Sequence, residues 1–382
     1  MNRLLALVAA AVLAGCASTA PAPATTPWLD AQFQHDAALV TVTAQDLFRL
    51  DADLEQRLAE PNVREVFKDV RLRRVVDIIF GADRKGFAYR AGHSTVAADT
   101  WRDRAGDCLS LTVLTYAVAK KIGMSAVMQE VQTPAVFGRS GQLDVVNQHV
   151  NVLLPSARSD FLVSDPWGHD VVLDFEPDFA TARRGTQLTE PAILARFYNN
   201  VAVEHMARGD ARMAYAHFKA AILSDPGYVS PYGNLAVLYR RSGHEQEAES
   251  LLRFAVGLGG TSDVALHELH RLLRDQGRVG EAADVQRKLE ARQAADPYYW
   301  MSRGLQQIAA NEPRRAISSL QRAKDLAPTF AEVHRYLATA YIQSGDVQKA
   351  REEVALMENL GGPLNKVAVL RRKLDQAERP PQ

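Results

Sequence analysis

The stretch Arg104-Ala105-Gly106-Asp107-Cys108-Leu109-Ser110 places a cysteine at the first position of a helix. Gly106 and Asp107 interrupt whatever precedes them, and aspartate is a favoured N-cap residue. From Leu109 onward, Leu111, Leu114, Val118 and Ile122 recur at helical spacing, and Gly123 closes the segment. A thiol so placed faces unpaired backbone N–H groups and the positive end of the helix dipole, and both favour thiolate over thiol. The alternative is a small buried hydrophobe at the start of a core helix.

Working outward, the rest of the chain bears on that choice. Its 382 residues leave room for two or three domains. It is 47% hydrophobic and carries 45 basic against 45 acidic residues, so no net charge draws it to nucleic acid or acidic membranes. Arg3 precedes an apolar run over 4–13 that is too short to span a bilayer and reads as a secretory signal. The four residues Leu13-Ala14-Gly15-Cys16 resemble a bacterial lipobox. That resemblance implies a lipoprotein signal peptide over 1–15 and a lipid anchor on Cys16, with membrane as a partner. Ala17 in place of aspartate implies sorting to the outer membrane of a bacterial envelope, on the periplasmic face. Residues 16–27 then form the lipidated cysteine and a proline-spaced tether. Of the two cysteines, lipidation consumes Cys16. Cys108 is left as the only thiol in an oxidising compartment, where structural cysteines normally pair, and this marks it as reactive.

Residues 28–190 mix helix and strand. Helical periodicity covers 47–58 and 63–80, and Ser94-Thr95 is suited to capping a short helix through Trp101. After Gly123 the period changes to two, predicting strands over 126–131 and 145–154 with a loop over 133–141 between them. In the second strand His149, Asn151 and Leu153 share one face. Two further short strands are expected at 161–164 and 171–175. A cysteine nucleophile needs a base that can return a proton to a leaving amine, and a third group to fix the tautomer of that base. Of His35, His93, His149 and His169, only His149 sits mid-strand in an apolar context. Its alternative role is a satisfied core histidine.

These residues resemble the transglutaminase-like cysteine proteins. The resemblance rests on Thr95-Val96-Ala97-Ala98-Asp99-Thr100-Trp101, the Cys108 turn, Met128-Gln129-Glu130-Val131 and Gln148-His149-Val150-Asn151-Val152. It is closest to a bacterial branch in which that domain precedes tetratricopeptide repeats, where asparagine often stands in the place of Asp107. It implies a papain-like α+β core and a Cys-His-Asp triad, carried by Cys108 and His149. Two aspartates compete for the third place. Asp165, followed by Pro166, has the spacing of compact family members. Asp174, ending the strand Val171-Val172-Leu173 two dozen residues before Tyr198-Asn199-Asn200, matches the branch better and is preferred. Whichever serves is expected to accept the Nδ1 proton of His149. Gln129 is a candidate oxyanion donor or structural amide, but a plain polar residue at a sheet edge is preferred.

From 195 onward a 34-residue self-similarity starts afresh at 229, 263, 297 and 331. Position 20 is alanine in every unit: Ala214, Ala248, Ala282, Ala316 and Ala350. Position 15 is Gly209, Gly243, Gly277, Asn311 and Gly345, where the two helices of each unit turn. Position 8 is small in Ala202, Ala236, Gly304 and Ala338, but His270 breaks the pattern and predicts a loosely packed third unit. This is the tetratricopeptide pattern: five repeats over 195–364, then a cap helix and tail over 365–382. The concave face of such an array would present Arg240, His267, Arg271, Arg274 and Arg335, beside Val203, Met206, Val237 and Met301. A locally basic groove with apolar patches suits an acidic or C-terminal peptide segment. An array that packs only on its own catalytic domain or on another copy is the alternative.

The fold class expected is therefore an α+β transglutaminase-like domain followed by an all-α repeat solenoid. The function expected is a thiol hydrolase or acyltransferase acting on peptide or isopeptide amide bonds, with hydrolysis ahead of cross-linking. A non-catalytic adaptor that keeps the fold and binds through its repeats is the alternative. The histidines lack metal-ligand spacing and no phosphate-cradling loop is present, so neither metal nor cofactor is expected.

Overall fold

The computed structural model describes residues 26–59, 76–79, 86–131, 137–140, 143–146, 149–155, 171–175, 185–259 and 263–377. Cys16, Asp165, His169 and the strand expected at 161–164 lie outside them, as do the signal segment and most of the helix expected over 63–80.

The mixed unit begins with α1 (Ala44–Phe48) and α2 (Ala52–Ala59). One helix is predicted over 47–58, but Arg49 leaves helical space at ψ 126°. Asp51 then accepts the Asp53 N–H at 2.9 Å and starts a second helix. Helix α3 (Ala97–Asp103) follows. Its N-cap is Val96, which makes no side-chain cap bond, so Ser94 and Thr95 do not cap it. Thr95 Oγ1 instead meets Thr100 Oγ1 at 2.7 Å, and Ser94 turns toward Asp107. Strand β1 (Ala88–Tyr89) pairs in parallel with β2 (Ala105–Gly106), which delivers the chain to α4 (Cys108–Lys121). Ten residues of α4 between Leu109 and Ala119 are buried, as expected of a helix apolar on all sides.

Four antiparallel strands form the main sheet. They are β3 (Val127–Val131), β6 (His149–Leu154), β7 (Val171–Leu173) and β8 (Thr186–Leu188), in the order β7-β6-β3-β8. Between β3 and β6 the chain makes a hairpin of β4 (Phe137–Ser140) and β5 (Leu143–Val146). The loop expected through Gly141 is thus partly strand, and the described part of the strand expected over 145–154 is the end of β5 and β6. Every residue of β6 is buried, between neighbouring strands and α4.

Ten helices then stack as antiparallel pairs: α5 (Glu190–Ala207) with α6 (Ala211–Ser224), and α7 (Ser230–Arg241) with α8 (Glu245–Leu258). Next come α9 (Val264–Asp275) with α10 (Val279–Ala295), and α11 (Pro297–Ala309) with α12 (Pro313–Leu326). The last pair is α13 (Ala331–Ser344) with α14 (Val347–Asn359), closed by α15 (Leu364–Ala377), which buries Val367, Leu370 and Leu374. The turn residue of each pair is left-handed: φ is 81° at Gly209, 84° at Gly243, 72° at Gly277, 58° at Asn311 and 82° at Gly345. Glycine and asparagine are the residues that tolerate this conformation. The position-20 alanines are buried, which lets the paired helices approach. At Gly304 a Cβ would lie 2.5 Å from Leu320 Cγ. In the third unit His270 Nδ1 meets the Ala282 carbonyl at 3.1 Å across the helix pair.

The two regions share a helix. Ile193, Phe197 and Tyr198 of α5 belong to the mixed unit's core, while Ala202 and Met206 further along belong to the solenoid core. Arg196 reinforces the seam, its Nε donating to Glu130 of β3 at 2.9 Å and its guanidinium lying 4.3 Å from the Tyr228 ring.

Candidate functional site

Cys108 heads α4 and is half-buried. The turn that presents it is fixed from both sides. Asp107 is the N-cap: its Oδ1 accepts the Ser110 N–H at 2.8 Å and the Ser110 hydroxyl at 2.6 Å. Its Oδ2 accepts the Ser94 hydroxyl at 2.5 Å. Burial pushes the Asp107 carboxyl above its ordinary value, opposed by these hydrogen bonds and aided by the charge of Glu204. Gly106 has no room for a side chain, since a Cβ there would fall 2.8 Å from Ser110 Cβ. Arg104 adopts φ 51°, and its guanidinium covers the Phe87 ring at 4.1 Å and the Trp101 ring at 4.8 Å.

One turn below Cys108, Thr112 donates to the Val150 carbonyl at 3.2 Å. This bond seats α4 on β6 beside His149, the first residue of that strand and 2% exposed. His149 Nε2 lies 2.7 and 2.8 Å from the two carboxylate oxygens of Asp174. The expectation that Nδ1 makes the aspartate contact is therefore corrected: the carboxylate takes Nε2. The register explains how Asp174 arrives. Val152 pairs with Leu173, so the next pair along the ladder sets Asp174 opposite Asn151 and diagonal to His149. Asn151 Nδ2 donates to Asp174 Oδ2 at 2.8 Å. On the other side Gln129 stands directly opposite Asn151, donates to its Oδ1 at 2.9 Å and accepts the Gly185 N–H at 2.9 Å. In these contacts Gln129 acts as a structural amide within the sheet. The row Gln129–Asn151–Asp174 is a buried polar relay across three strands that holds the carboxylate against the ring. Asn151 shares the face of His149 by alternation, but its partner became visible only with the register.

The segment before α3 ties this site to the first repeat helix. Asn200 of α5 donates to Ser94 Oγ at 2.9 Å, and Glu204 accepts the Ser94 N–H at 3.3 Å and faces His93 Nδ1 at 3.2 Å. A continuous path therefore runs from α5 through Ser94 to the N-cap of the cysteine helix. Sequence pattern singled out Tyr198-Asn199-Asn200 only by resemblance; Tyr198 and Asn200 reach Val42 and Ser94, more than a hundred residues away, and no local periodicity reports those contacts.

The basic residues expected on the concave face are partly neutralised. Arg240 pairs with Glu268 at 3.3 Å and with Asp275 at 3.4 Å, and Arg271 pairs with Glu268 at 3.1 Å. Arg335 lies over the Tyr336 ring at 4.4 Å, while His267 and Arg274 are exposed. Met206, Val237 and Met301 are buried and offer no apolar patch. Among the described residues no cluster of His, Cys, Asp and Glu could hold a metal ion. Among them, too, no helix is long and apolar enough to cross a membrane.

Comparison with known families bears on the helical part. Residues 307–360 match the tetratricopeptide repeat model. The matched stretch runs from the end of α11 through α14, and the solenoid is a tetratricopeptide-like array. Similar solved structures include residues 41-end of MamA from Desulfovibrio magneticus RS-1, 20% identical, covering 44% of this chain and 94% of that one at a TM-score of 0.24. Another is PilF of Pseudomonas aeruginosa, 17% identical, covering 50% of this chain and 90% of that one at a TM-score of 0.26. A third is YrrB, described as a repeat protein with an unusual peptide-binding site, 15% identical, covering 47% and 92% at a TM-score of 0.25. No curated protein matches the chain.

Proposed function

We propose that the mixed unit is a transglutaminase-like thiol hydrolase or acyltransferase and that the repeats are its arm for docking a protein or peptide. The observation that carries the first half is the buried His149 Nε2–Asp174 contact, on a strand seated beneath the helix that Cys108 begins. With Nε2 held by the carboxylate, Nδ1 is the nitrogen assigned to proton exchange with the thiol. The Cys108 thiolate adds to an amide carbonyl, and His149 delivers the proton to the departing amine as the C–N bond breaks. Water or a second amine, deprotonated by His149, then attacks the thioester and releases Cys108. Asp174 balances the imidazolium in both halves. This is cysteine chemistry that needs no cofactor.

The same proposal places the chain in a bacterial envelope, anchored through Cys16, because Leu13-Ala14-Gly15-Cys16 supports lipidation. The test of the chemistry is alkylation of Cys108 by iodoacetamide across pH. An activated thiol reacts well below about pH 8.5, where an ordinary cysteine titrates, and His149→Ala moves the profile up. A profile identical to free cysteine, unmoved by His149→Ala, supports instead a non-catalytic adaptor. That second reading is favoured by the family match, which falls in the repeats alone. Failure of the wild-type chain to take up labelled palmitate would remove the anchor.

A further inference from the structure

The chain just ahead of the mixed unit lies against the repeats as a ligand would. Residues 26–36 make a single tight turn, with the Phe33 N–H on the Leu29 carbonyl at 3.1 Å and the His35 N–H on the Asp30 carbonyl at 2.8 Å. The turn sits between α6 and α7. Phe33 is buried while Gln32 and Gln34 on either side are exposed. Its ring stacks on Tyr215 with centroids 4.7 Å apart, on Tyr239 at 5.8 Å, and tilts against His244 at 6.3 Å. The Lys219 ammonium lies 5.2 Å from the Trp28 ring and donates to both Asp30 oxygens, at 2.7 and 2.8 Å. The Tyr215 hydroxyl donates to Asp30 at 2.7 Å and accepts the Leu29 N–H at 3.0 Å. Burial would raise the Asp30 carboxyl, but the hydrogen bonds from Lys219 and Tyr215 bring it below its ordinary value.

The backbone of the turn is also read by repeat side chains. The Tyr239 hydroxyl donates to the Pro27 carbonyl at 2.9 Å, and Arg212 Nε to the Gln34 carbonyl at 3.0 Å. A core element satisfies its backbone within a helix or sheet. Here three backbone groups of one short segment are met by Tyr215, Tyr239 and Arg212. Aromatic anchors fill a cleft, a central carboxylate pairs with a lysine, and side chains read the main chain, which together are the features of linear-peptide recognition.

We propose that the cleft between α6 and α7 is a peptide-binding site, occupied in cis by residues 26–36. Its external ligand is a segment of a partner protein with the same chemistry: an aromatic residue, a leucine, an aspartate, and an aromatic three residues further on. The site draws on the repeats alone and stands apart from the chemistry at Cys108. Because the cis segment is tethered at an effective concentration of about 1 mM, it competes strongly with any partner. Disarming it exposes the site.

The experiment uses the full chain carrying Trp28→Ala, Asp30→Ala and Phe33→Ala, titrated with a fluorescein-labelled peptide of residues 26–36 and followed by anisotropy. Circular dichroism reports on the helices. The disarmed chain should bind the peptide at least about tenfold more tightly than wild type, the gain expected when an intramolecular competitor is removed. Adding Lys219→Ala or Tyr215→Phe should abolish that gain. A disarmed chain with intact helicity that does not bind overturns the proposal. If the triple variant unfolds, Asp30→Ala alone should still bind about threefold or more above wild type, as the weakened competitor yields; no gain there also overturns it. Wild-type dimers that vanish with Lys219→Ala would make the partner a second copy of this chain and overturn the choice of a foreign one.

Discussion

At the scale of single residues, the proposed chemistry turns on the carboxylate behind His149. Asp174 accepts from Nε2 with both oxygens within 2.8 Å and accepts a further bond from Asn151. In Asp174→Asn the new amide would set N–H groups against the Asn151 donor or the ring N–H, and would not balance an imidazolium. Acylation by an activated-ester probe should fall by about a thousandfold or more with the helices and sheet retained. Asp165→Asn should be nearly silent, since Asp174 already holds the ring nitrogen. The reverse ranking would move the orienting role to Asp165. Asp107 offers a second, opposite-signed measurement. Its carboxylate caps the helix terminus that Cys108 begins, so an ionised Asp107 would oppose an ionised Cys108. Asp107→Asn keeps a capping oxygen and removes that charge. The alkylation profile should move down by roughly one pH unit at the effective dielectric of a partly buried site. A profile that moves up would mean that the cap's hydrogen bonds to Ser94 and Ser110 matter more to the thiol than its charge does.

At the scale of elements, the presentation of Cys108 depends on the tightness of β2 and the first turn of α4. Gly106→Ala would press a methyl into Ser110 Cβ at 2.8 Å and Thr100 Cγ2 at 3.2 Å. It should cost about 1–3 kcal/mol of stability, as overpacking does, and slow alkylation of Cys108 further than that loss explains. Urea titration and alkylation rate measured side by side separate the two. An unchanged rate would mean that the turn does not position the thiol. Legibility followed the range of the signal. The repeat helices could be read because the alanine and the left-handed turn residue recur once in each of five 34-residue units. The cysteine helix could be read because cap, periodicity and closure are all local. Strand β8, three residues of Thr-Gln-Leu, carries too few alternations to detect, and the β4–β5 hairpin lies where turn residues suggested a loop. His149 was found by its apolar strand context, but the nitrogen that meets Asp174 depends on ring orientation, which no pattern encodes. The basic groove was legible only in part, because repeat positions do not reveal that Glu268 and Asp275 of α9 pair with Arg240.

At the scale of the whole molecule, the hydrophobic core is divided, and the two parts carry histidines of opposite electrostatic sign. One body joins the mixed unit to the first three repeats: α5 and α6 contribute to both of its clusters, which extend as far as Leu289. A separate cluster begins at Tyr298 and includes Met301, Tyr336 and Leu374. In the first body His217 is buried, with its Nδ1 at the Met213 carbonyl, and burial holds it below its ordinary value with the nearby His205 adding to the effect. In the second, burial alone would push His334 down, but its hydrogen bonds to Glu353 at 2.6 Å and to the Pro328 carbonyl at 2.9 Å hold it above its ordinary value. Burial would push Glu353 up, yet its bonds to His334 and to Lys324 at 2.7 Å bring it down. The signs follow from linkage. The lowered His217 contributes stability at neutral pH that is lost on acidification below its unfolded value, about 6.5. The raised His334 contributes stability that is complete below about 6.5 and lost as the pH climbs through its folded value. The lowered Glu353 keeps its contribution until the pH falls below about 4.5. Hydrogen exchange of the full chain from pH 5.5 to 8.5, corrected for intrinsic rates, should therefore show α6 gaining protection as the pH rises while α13 and α14 lose it. His334→Gln should flatten the second response and leave the first untouched. A common response of both parts, or a second response surviving in His334→Gln, would mean that the molecule opens as one cooperative unit and that the His334–Glu353 pair does not govern its C-terminal end.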